Sequence, residues 1–437
     1  MSSSEILRAP ILHTPRNPFH DATALKSYED GALLIADGKI AACGDYSEIR
    51  TAHPAAVTTD MRGGFLLPGF IDTHIHFPQV RVLGGLGQEL LGWLDKFALP
   101  EEARMADVNY ARETAQHFLR GLASHGTTTA LVFGAHFEPA TAALFDVAEA
   151  SGLRIVSGMV LSDRMLRPEL HQTAERAYCE SSSLIRRYHG KNRLQYAVTP
   201  RFALSASEAI LEVCQTLITE TPGVLFQTHL NENHSEIATV AKQFPWAGDY
   251  LAVYERYALA RPGSVMAHNV HPNASELERL SVSHTAVSHC PCSNAALGSG
   301  FFPLQRHIAA GVTCALGTDV GGGTGYGLLK EGLQAYLLQR LMPNGFPLTP
   351  AHLLYLATRA GAEALLLENQ TGDFSPGKAA DLVYIRPRKL SPLQAVVERS
   401  ESLERSLAAI FTLGDSTCVG EVRVGGDVVY RAKSHDD

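Results

Sequence analysis

Long hydrophobic runs and blocks of basic residues are both missing from this sequence. No apolar stretch approaches the ~18 residues that a membrane span needs, and the first 16 residues lack the apolar core of a secretion signal. The 37 Lys and Arg residues are outnumbered by 45 Asp and Glu residues, for a net charge of −8, so nucleic acids and anionic membranes are poor partners. The seven cysteines are odd in number and dispersed, which is typical of reduced thiols in a cytoplasmic protein.

Histidine, in contrast, is abundant. The chain has 19 histidines, and two of them, His74 and His76, follow a short apolar run whose β-branched residues predict a buried strand. Side chains two residues apart on a strand point to the same side, so this pair forms two candidate metal ligands. A His-x-His pair also arises by chance as two polar residues at a strand end, so it needs support from the rest of the chain.

The middle of the chain alternates apolar segments with segments of helical length. Such alternation predicts parallel strands joined by right-handed crossovers, and eight repeats within about 300 residues fit a closed (β/α)8 barrel of the TIM type. A doubly wound open sheet is the alternative, but no Gly-x-Gly-x-x-Gly motif follows the first strand. The strand candidates after the first are residues 127–134, 154–161, 194–202, 224–233, 264–271, 285–294 and 312–320.

The two ends of the chain carry hairpin signals instead. Asp37-Gly38 separates two strand candidates near the N-terminus, and residues 421–430 predict another hairpin near the C-terminus. We therefore expect an α/β protein in which residues 1–67 and 373–437 form the two parts of one small β-sandwich domain. Residues 68–372 are expected to form the barrel, inserted between them.

Polar side chains gather at the C-terminal ends of the strand candidates. In a barrel these ends meet on one face, where such enzymes carry their sites. Three imidazoles and one carboxylate from the first, fifth and eighth strands can hold one divalent ion and leave a position open for water. Each residue alone has an ordinary explanation, such as a capped turn or a core histidine, but their common placement predicts a metal site. The residues at these ends are His74, His76, Gln79, Arg201, Phe202, His229, Glu232, His268, His289 and Asp319.

The motifs that contain these residues resemble those of the amidohydrolase superfamily. Residues 68–76 (PGFIDTHIH), 228–232 (THLNE), 267–268 (AH) and 317–319 (GTD) match its motifs in order. Residues 77–79 (FPQ), 200–205 (PRFALS), 288–294 (SHCPCSN) and 317–323 (GTDVGGG) narrow the likeness to one of its families, the guanine deaminases. The resemblance covers nearly the whole chain, so it also implies the barrel and the split small domain.

The resemblance implies a zinc enzyme. Members with two ions carry a bridging lysine in the barrel, whereas Lys191, the only lysine between Lys96 and Lys242, lies at the wrong end of its strand candidate. We therefore expect one ion per subunit, with iron less favoured than zinc, although ligand types alone do not distinguish the two. The family resemblance also implies a homodimer. The implied metal ligands are His74, His76, His229 and Asp319.

The implied reaction is the hydrolytic removal of the exocyclic amine at C2 of guanine, which yields xanthine and ammonia. Zinc would lower the pKa of its water toward ~7, so that hydroxide is the nucleophile at neutral pH. Asp319 would help to accept the proton of that water. Glu232 would relay a proton to a ring nitrogen and then assist the departure of ammonia. His268 would hydrogen-bond the water or the substrate.

Recognition of the base is expected to use donors and acceptors near the strand ends. Arg201 is a fork of donors suited to O6 and N7 of guanine, and the Gln79 amide offers both a donor and an acceptor. Phe202 would stack on the purine or offer its backbone N–H. A surface ion pair for Arg201 and core packing for Phe202 are the ordinary alternatives. Four further residues are expected to contact the substrate: His76, His229, His268 and Asp319.

Other interpretations use the same residues differently. An aminohydrolase of the same subgroup acting on 8-oxoguanine, a pterin or a triazine is a close alternative, and a non-catalytic interaction protein would be expected to have lost ligands. Residues 136–138 (HFE) resemble the His-x-Glu zinc site of cytidine deaminases, but the Pro-Cys-x-x-Cys partner is missing. We expect residues 290–292 to lie in a loop after the seventh strand, with His289 and Asn294 supporting the site.

Overall fold

The computed structural model describes residues 4–433, and its strands fall into two sheets. In chain order the strands are β1 (Glu5–His13), β2 (Lys26–Ala36), β3 (Lys39–Asp45), β4 (Val57–Asp60), β5 (Phe65–Pro68), β6 (Phe70–His76), β7 (Thr127–Phe133), β8 (Arg154–Gly158), β9 (Val160–Leu161), β10 (Leu194–Pro200), β11 (Leu225–Leu230), β12 (Ser264–His268), β13 (Ala286–His289), β14 (Cys314–Leu316), β15 (Leu382–Ile385), β16 (Val419–Val424) and β17 (Asp427–Arg431).

Helices occupy most of the connections between the strands. They are α1 (Tyr46–Ala52), α2 (Leu90–Trp93), α3 (Leu99–Ala103), α4 (Val108–Ser124), α5 (Glu138–Ser151), α6 (Ala174–Tyr188), α7 (Glu208–Glu220), α8 (His234–Gln243), α9 (Tyr250–Glu255), α10 (Ala274–Val282), α11 (Pro291–Ala296), α12 (Leu304–Ala310), α13 (Leu328–Leu341), α14 (Pro350–Ala357), α15 (Arg359–Ala364), α16 (Pro392–Val397) and α17 (Leu403–Leu413). None of the helices within residues 4–433 combines the length and the apolar character that crossing a membrane requires.

The larger sheet is the predicted barrel. Its strands run in the order β14-β13-β12-β11-β10-β8-β7-β6, all neighbours are parallel, and β9 pairs with β10. The ends of this order meet, because the Asp319 N–H donates to the His74 carbonyl (2.8 Å) and the Thr73 hydroxyl donates to the Leu316 carbonyl (2.9 Å). The (β/α)8 barrel is therefore confirmed, and the doubly wound open sheet is excluded.

The barrel strands end earlier than the sequence predicts. The segment expected to be a strand through residue 271 stops at His268, and those expected to reach 233 and 320 stop at Leu230 and Leu316. The backbone is left-handed at His268, the last residue of β12, and at Asp319, three residues after β14, with φ of 70° and 47°. This conformation turns the chain out of the sheet. The loop expected at 290–292 is also wrong: Pro291 begins α11, since proline suits the first position of a helix.

The smaller sheet joins the two ends of the chain. Its order is β17-β16-β15-β5-β1-β2-β3, with β4 beside β1. Two-residue turns close both predicted hairpins, and their residues Asp37, Gly38, Gly425 and Gly426 all have positive φ, as type I′ turns require. The small domain built from both termini is confirmed, and its strands form one connected sheet. The limits 1–67, 68–372 and 373–437 stay predictions.

Gly69 links the two sheets. Pro68 ends β5 in the small sheet, and Phe70 begins β6 in the barrel. The Gly69 N–H donates to the Asp381 carbonyl (3.1 Å), and a Cβ at this position would lie 2.3 Å from the Thr128 side chain. Only glycine fits this contact without a shift of Thr128, so the small domain is anchored at the start of the strand that carries His74 and His76.

Candidate active site

Four of the predicted strand-end residues form a buried cluster. His74 and His76, at the end of β6, have their Nε2 atoms 3.2 Å apart, and each Nε2 lies 3.3 Å from Asp319 Oδ1. The His229 ring, from β11, stacks on His76 with centroids 5.3 Å apart and is perpendicular to His74 at 4.8 Å. Two groups able to hold a metal ion share His74: one adds His76 and Asp319, the other His229 and His268, with ligand atoms within 4.8 Å of one another.

Hydrogen bonds outside the cluster orient its side chains. His229 Nδ1 donates to the Arg201 carbonyl (2.6 Å), which leaves the Nε2 lone pair facing the cluster. Ser293, on α11, donates its hydroxyl to Asp319 Oδ2 (2.6 Å), so Asp319 Oδ1 is the oxygen turned toward the histidines. Bonds of this kind fix ring tautomers and orientations around metal sites.

Burial sets the protonation of the cluster. It lowers the pKa of His74 to about 3 and that of His229 well below the ordinary value, so both imidazoles are neutral, the form that binds metals. Burial alone would raise the pKa of Asp319, but the hydrogen bonds from His74 and His76 outweigh it and hold that pKa well below its usual range. Neutral imidazoles with one carboxylate are a typical ligand set for a divalent ion.

Glu232 and His268 lie beside this cluster. The Glu232 carboxylate accepts a hydrogen bond from the Ser299 hydroxyl (3.1 Å) and lies 3.5 Å from His268 Nε2. Burial raises the pKa of Glu232 to about 7, so its carboxyl group can take up or release a proton near neutral pH. Among residues 4–433, His268 Nε2 has no hydrogen-bond partner, while His268 Nδ1 donates to Asn294 Oδ1 (2.9 Å).

The predicted recognition residues open onto the same pocket, whose empty space together with the open solvent at its mouth is about 320 Å³. Arg201 is only 3% exposed and forms an ion pair with Glu102 at 2.7 Å, so it is not at the surface. Phe202 lies 5.9 Å from the His229 ring, between centroids. The pocket is lined by His76, Gln79, Leu90, Trp93, Leu94, Arg201, Phe202, His229, Glu232, His268, Leu297 and Asp319.

Several residues near the pocket were not predicted. Leu90, Trp93 and Leu94 belong to the segment after β6 that covers the barrel mouth, and no pattern in that segment indicates a site. Glu102, on α3, contacts Gln79, Arg201 and His136. His136, whose His-x-Glu motif resembles a zinc site, lies outside both metal-capable groups and bonds to Glu102 instead.

His289 and Asn294 have different places. Asn294 accepts the hydrogen bond from His268 and so supports the site. His289 is buried, stacks on Phe302 with centroids 4.1 Å apart, and does not line the pocket. Neither of its ring nitrogens has a hydrogen-bond partner in the part of the chain that the structure describes.

Comparisons with known proteins place this geometry in context. A family model described as the amidohydrolase family matches residues 65–429, and one described as a bacterial imidazolonepropionase-like composite domain matches residues 31–56. The chain is 60% identical to a probable guanine deaminase of Deinococcus radiodurans, over 98% of both chains. It is similar to the solved guanine deaminase of Escherichia coli, with 38% identity, a TM-score of 0.93 and coverage of 99% of this chain and 100% of that one.

A third comparison includes a bound base. The structure of guanine deaminase from C. acetobutylicum with guanine in its active site is 26% identical to this chain and has a TM-score of 0.91. The match covers 98% of this chain and 100% of that one.

Proposed function

Because this chain belongs to the amidohydrolase family, we propose that it catalyses the hydrolytic deamination of guanine at C2 to xanthine and ammonia. The observation that carries this proposal is that one pocket joins a metal-capable cluster, a carboxyl group with a pKa of about 7, and the Gln79–Arg201 pair. Relatives that match over almost their full length are named guanine deaminases, which supports the same substrate.

The cluster fits one divalent ion, and we assign it zinc. His74, His76, His229 and Asp319 would hold the ion, because His74 belongs both to the group with His76 and Asp319 and to the group with His229. The hydrogen bonds that His229 and Asp319 make outside the cluster leave one ligand atom of each facing inward. Within residues 4–433 the buried Nε2 of His268 has no hydrogen-bond partner, and His268 lines the same pocket, which supports a ligand or water there. When bound, a zinc ion lowers the pKa of water toward ~7 and so makes a nucleophile available at neutral pH.

Proton transfer falls to Glu232. Its carboxyl group is buried in the pocket wall beside His268, and its pKa of about 7 suits both uptake of a proton and its delivery to a ring nitrogen or to the leaving amine. Asp319 stays ionised and is placed to accept a proton from water near Oδ1. His268, oriented by Asn294, would hydrogen-bond the substrate or the attacking water.

Binding of the base is assigned to Gln79, Arg201 and Phe202. Arg201 would donate to O6 and N7, which are acceptors on one edge of guanine. Gln79 would meet an N–H of the ring, and Phe202 would pack against the purine face. The pocket residues His76, His229, His268 and Asp319 would face the C2 side of the ring, where the reaction takes place.

Two further properties belong to the proposal. We assign a cytoplasmic location, which the seven cysteines support, since all of them are free in the structure. We also assign a homodimer, on the family resemblance. Light scattering of the purified protein would check the dimer, and a monomer at micromolar concentration would refute it.

The proposed activity is tested by ammonia release from the purified enzyme. We expect guanine to be deaminated far faster than 8-oxoguanine, pterin, a triazine or cytosine, with xanthine as the product and close to one zinc per chain by elemental analysis. Preferred release of ammonia from another of these compounds would replace guanine as the substrate. Protein without a bound divalent ion, and without activity on any of them, would refute an enzymatic role.

A further inference from the structure

Glu102 accepts hydrogen bonds from the two polar side chains that are proposed to bind the base, Gln79 and Arg201, and from His136. Gln79 Nε2 donates to its Oε1 (2.6 Å), and His136 Nε2 donates to its Oε2 (2.9 Å). Arg201 Nη1 donates to both oxygens, at 2.7 Å each. Each oxygen of Glu102 therefore accepts from Arg201 and from one other side chain.

The bond to Glu102 decides which way the Gln79 amide points. If the amide were turned over, Gln79 Oε1 would lie against a carboxylate oxygen with no proton between them. The observed orientation is also enclosed on its other side: a Cβ at Gly321 would lie 2.2 Å from Gln79 Oε1, and Gly321 has a φ of 116° that suits glycine. Gln79 Oε1 is therefore held as the acceptor of this side chain.

Glu102 also decides which donors of Arg201 remain. Arg201 Nη1 lies 2.7 Å from both oxygens of one carboxylate, so one of its N–H groups is shared between them. The donors left for the base are the remaining N–H groups of Arg201. Burial alone would raise the pKa of Glu102, but Arg201 and His136 hold it well below the usual range. The buried charges of Glu102 and Arg201 therefore balance, and the wall presents a pattern of donors and an acceptor without net charge.

We propose that Glu102 is a positioning residue that sets the base specificity of this pocket, by holding Gln79 Oε1 as an acceptor and the remaining N–H groups of Arg201 as donors toward the ring. The inference rests on the proposed guanine deamination. A ring with adjacent acceptors for Arg201 and an N–H for Gln79 matches this pattern, as guanine does with O6, N7 and its ring N–H groups. Glu102 does not line the pocket, so it acts only through these two side chains.

The matching probe is 2,6-diaminopurine. It keeps the C2 amine of guanine, and its hydrolysis at C2 yields isoguanine and ammonia. Chromatography of the product beside the ammonia assay distinguishes this reaction from loss of the C6 amine, which would yield guanine. The analogue replaces the acceptor O6 by an amine, which donates, and the donor N1–H by a bare N1, which accepts. The hydrogen-bonding pattern at C6 and N1 is therefore the reverse of that of guanine. A site built to bond polar groups rejects such an analogue by about 10⁴-fold.

The test compares Glu102→Gln with Glu101→Gln. Glu101 is the adjacent buried carboxylate on the same helix, but it bonds to Tyr110 and Arg104, away from the pocket. In the Glu102→Gln variant the new amide can donate to Gln79 Oε1 and turn that side chain over. We expect kcat/KM for guanine to fall by about 100-fold, mostly through KM, since about two polar contacts are lost. The guanine to 2,6-diaminopurine selectivity should narrow by more than tenfold, while Glu101→Gln keeps the wild-type ratio.

An exchange variant keeps the test decisive if Glu102→Gln leaves Arg201 unbalanced and unfolds. The double change Gln79→Glu with Glu102→Gln keeps the charge of the cluster and still turns an acceptor oxygen toward the base. We expect its selectivity to return to within about tenfold of the wild-type ratio.

The outcomes separate the inference from the proposed function. Wild-type enzyme that does not deaminate guanine refutes the function, and the inference falls with it. Wild-type enzyme that deaminates guanine, combined with variants that lose both substrates equally at unchanged selectivity, leaves the function intact and overturns the role of Glu102.

Discussion

Replacing Glu232 by glutamine tests proton transfer without disturbing the metal cluster. The change is isosteric, and the side chain contacts Ser299 and lies 3.5 Å from His268, whereas His74, His76 and Asp319 bond among themselves. The Ser299 hydroxyl can still donate to the amide oxygen. The amide cannot exchange a proton near neutral pH, which the carboxyl group with its pKa of about 7 can do.

The expected loss follows from this single missing function. A positioned general acid–base contributes about 10²–10⁴-fold to a rate, which corresponds to about 3–5 kcal/mol of transition-state stabilisation. Glu232 transfers protons and does not bind the edge of the ring that Gln79 and Arg201 hold. We therefore expect kcat to fall by about 10²–10⁴-fold. KM should change by less than about tenfold.

The measurement is steady-state ammonia release together with elemental analysis. Glu232→Gln should keep the wild-type zinc content and melting temperature while turnover nearly disappears. Glu101→Gln serves as the control, because Glu101 is also buried but bonds to Tyr110 and Arg104 and lies outside the pocket lining. Wild-type kcat in Glu232→Gln would remove this residue from the mechanism, and loss of the metal would show that it acts on the cluster instead.

Three further predictions follow from the protonation and metal chemistry of the chain. Ser299→Ala removes a hydrogen bond that favours ionised Glu232, so the limb of the kcat/KM profile near pH 7 should move to higher pH; an unmoved limb would contradict the assignment. Burial lowers the pKa of His13 to about 4. The unfolded chain, in which the pKa of His13 is about 6.5, therefore binds a proton more readily than the folded chain. About 2 kcal/mol of the free energy of unfolding is lost for this reason as the pH falls from 7 to 5. Denaturant unfolding of His13→Gln should show a weaker loss over this range, and an equal loss would refute the reasoning. Chelation that removes the metal should lower the melting temperature, and returning zinc should restore it; a melting temperature independent of the ion would argue against the cluster.

The prediction of the barrel succeeded because its signals are local. Each strand candidate is a short apolar run between turn residues, so β7, β8 and β10 begin at their predicted first residues. The helix α11 was missed for a related reason. It has only six residues, and so short a segment carries too little periodicity to distinguish a helix from a loop.

The surroundings of the pocket could not be predicted in the same way. Glu102 is 23 residues from Gln79, 34 from His136 and 99 from Arg201, and nothing in its own segment distinguishes it from a solvated helix charge. The pairing of Ser299 with Glu232 spans 67 residues. The contacts of Glu102 arise only when the segment after β6 folds over the mouth of the barrel. The pairing of Ser299 with Glu232 arises only when the residues after α11 approach the end of β11.

The order of residue types along the chain by itself determined that His74, His76, His229 and Asp319 share one face, because parallel strands in a barrel must end on the same side. Folding in three dimensions decided the rest: which oxygen of Asp319 turns inward, how Glu102 orients Gln79 and Arg201, and how far burial raises the pKa of Glu232. Hydrogen-bond direction and loss of hydration depend on distances of a few ångströms between distant segments, and a linear pattern does not contain those distances.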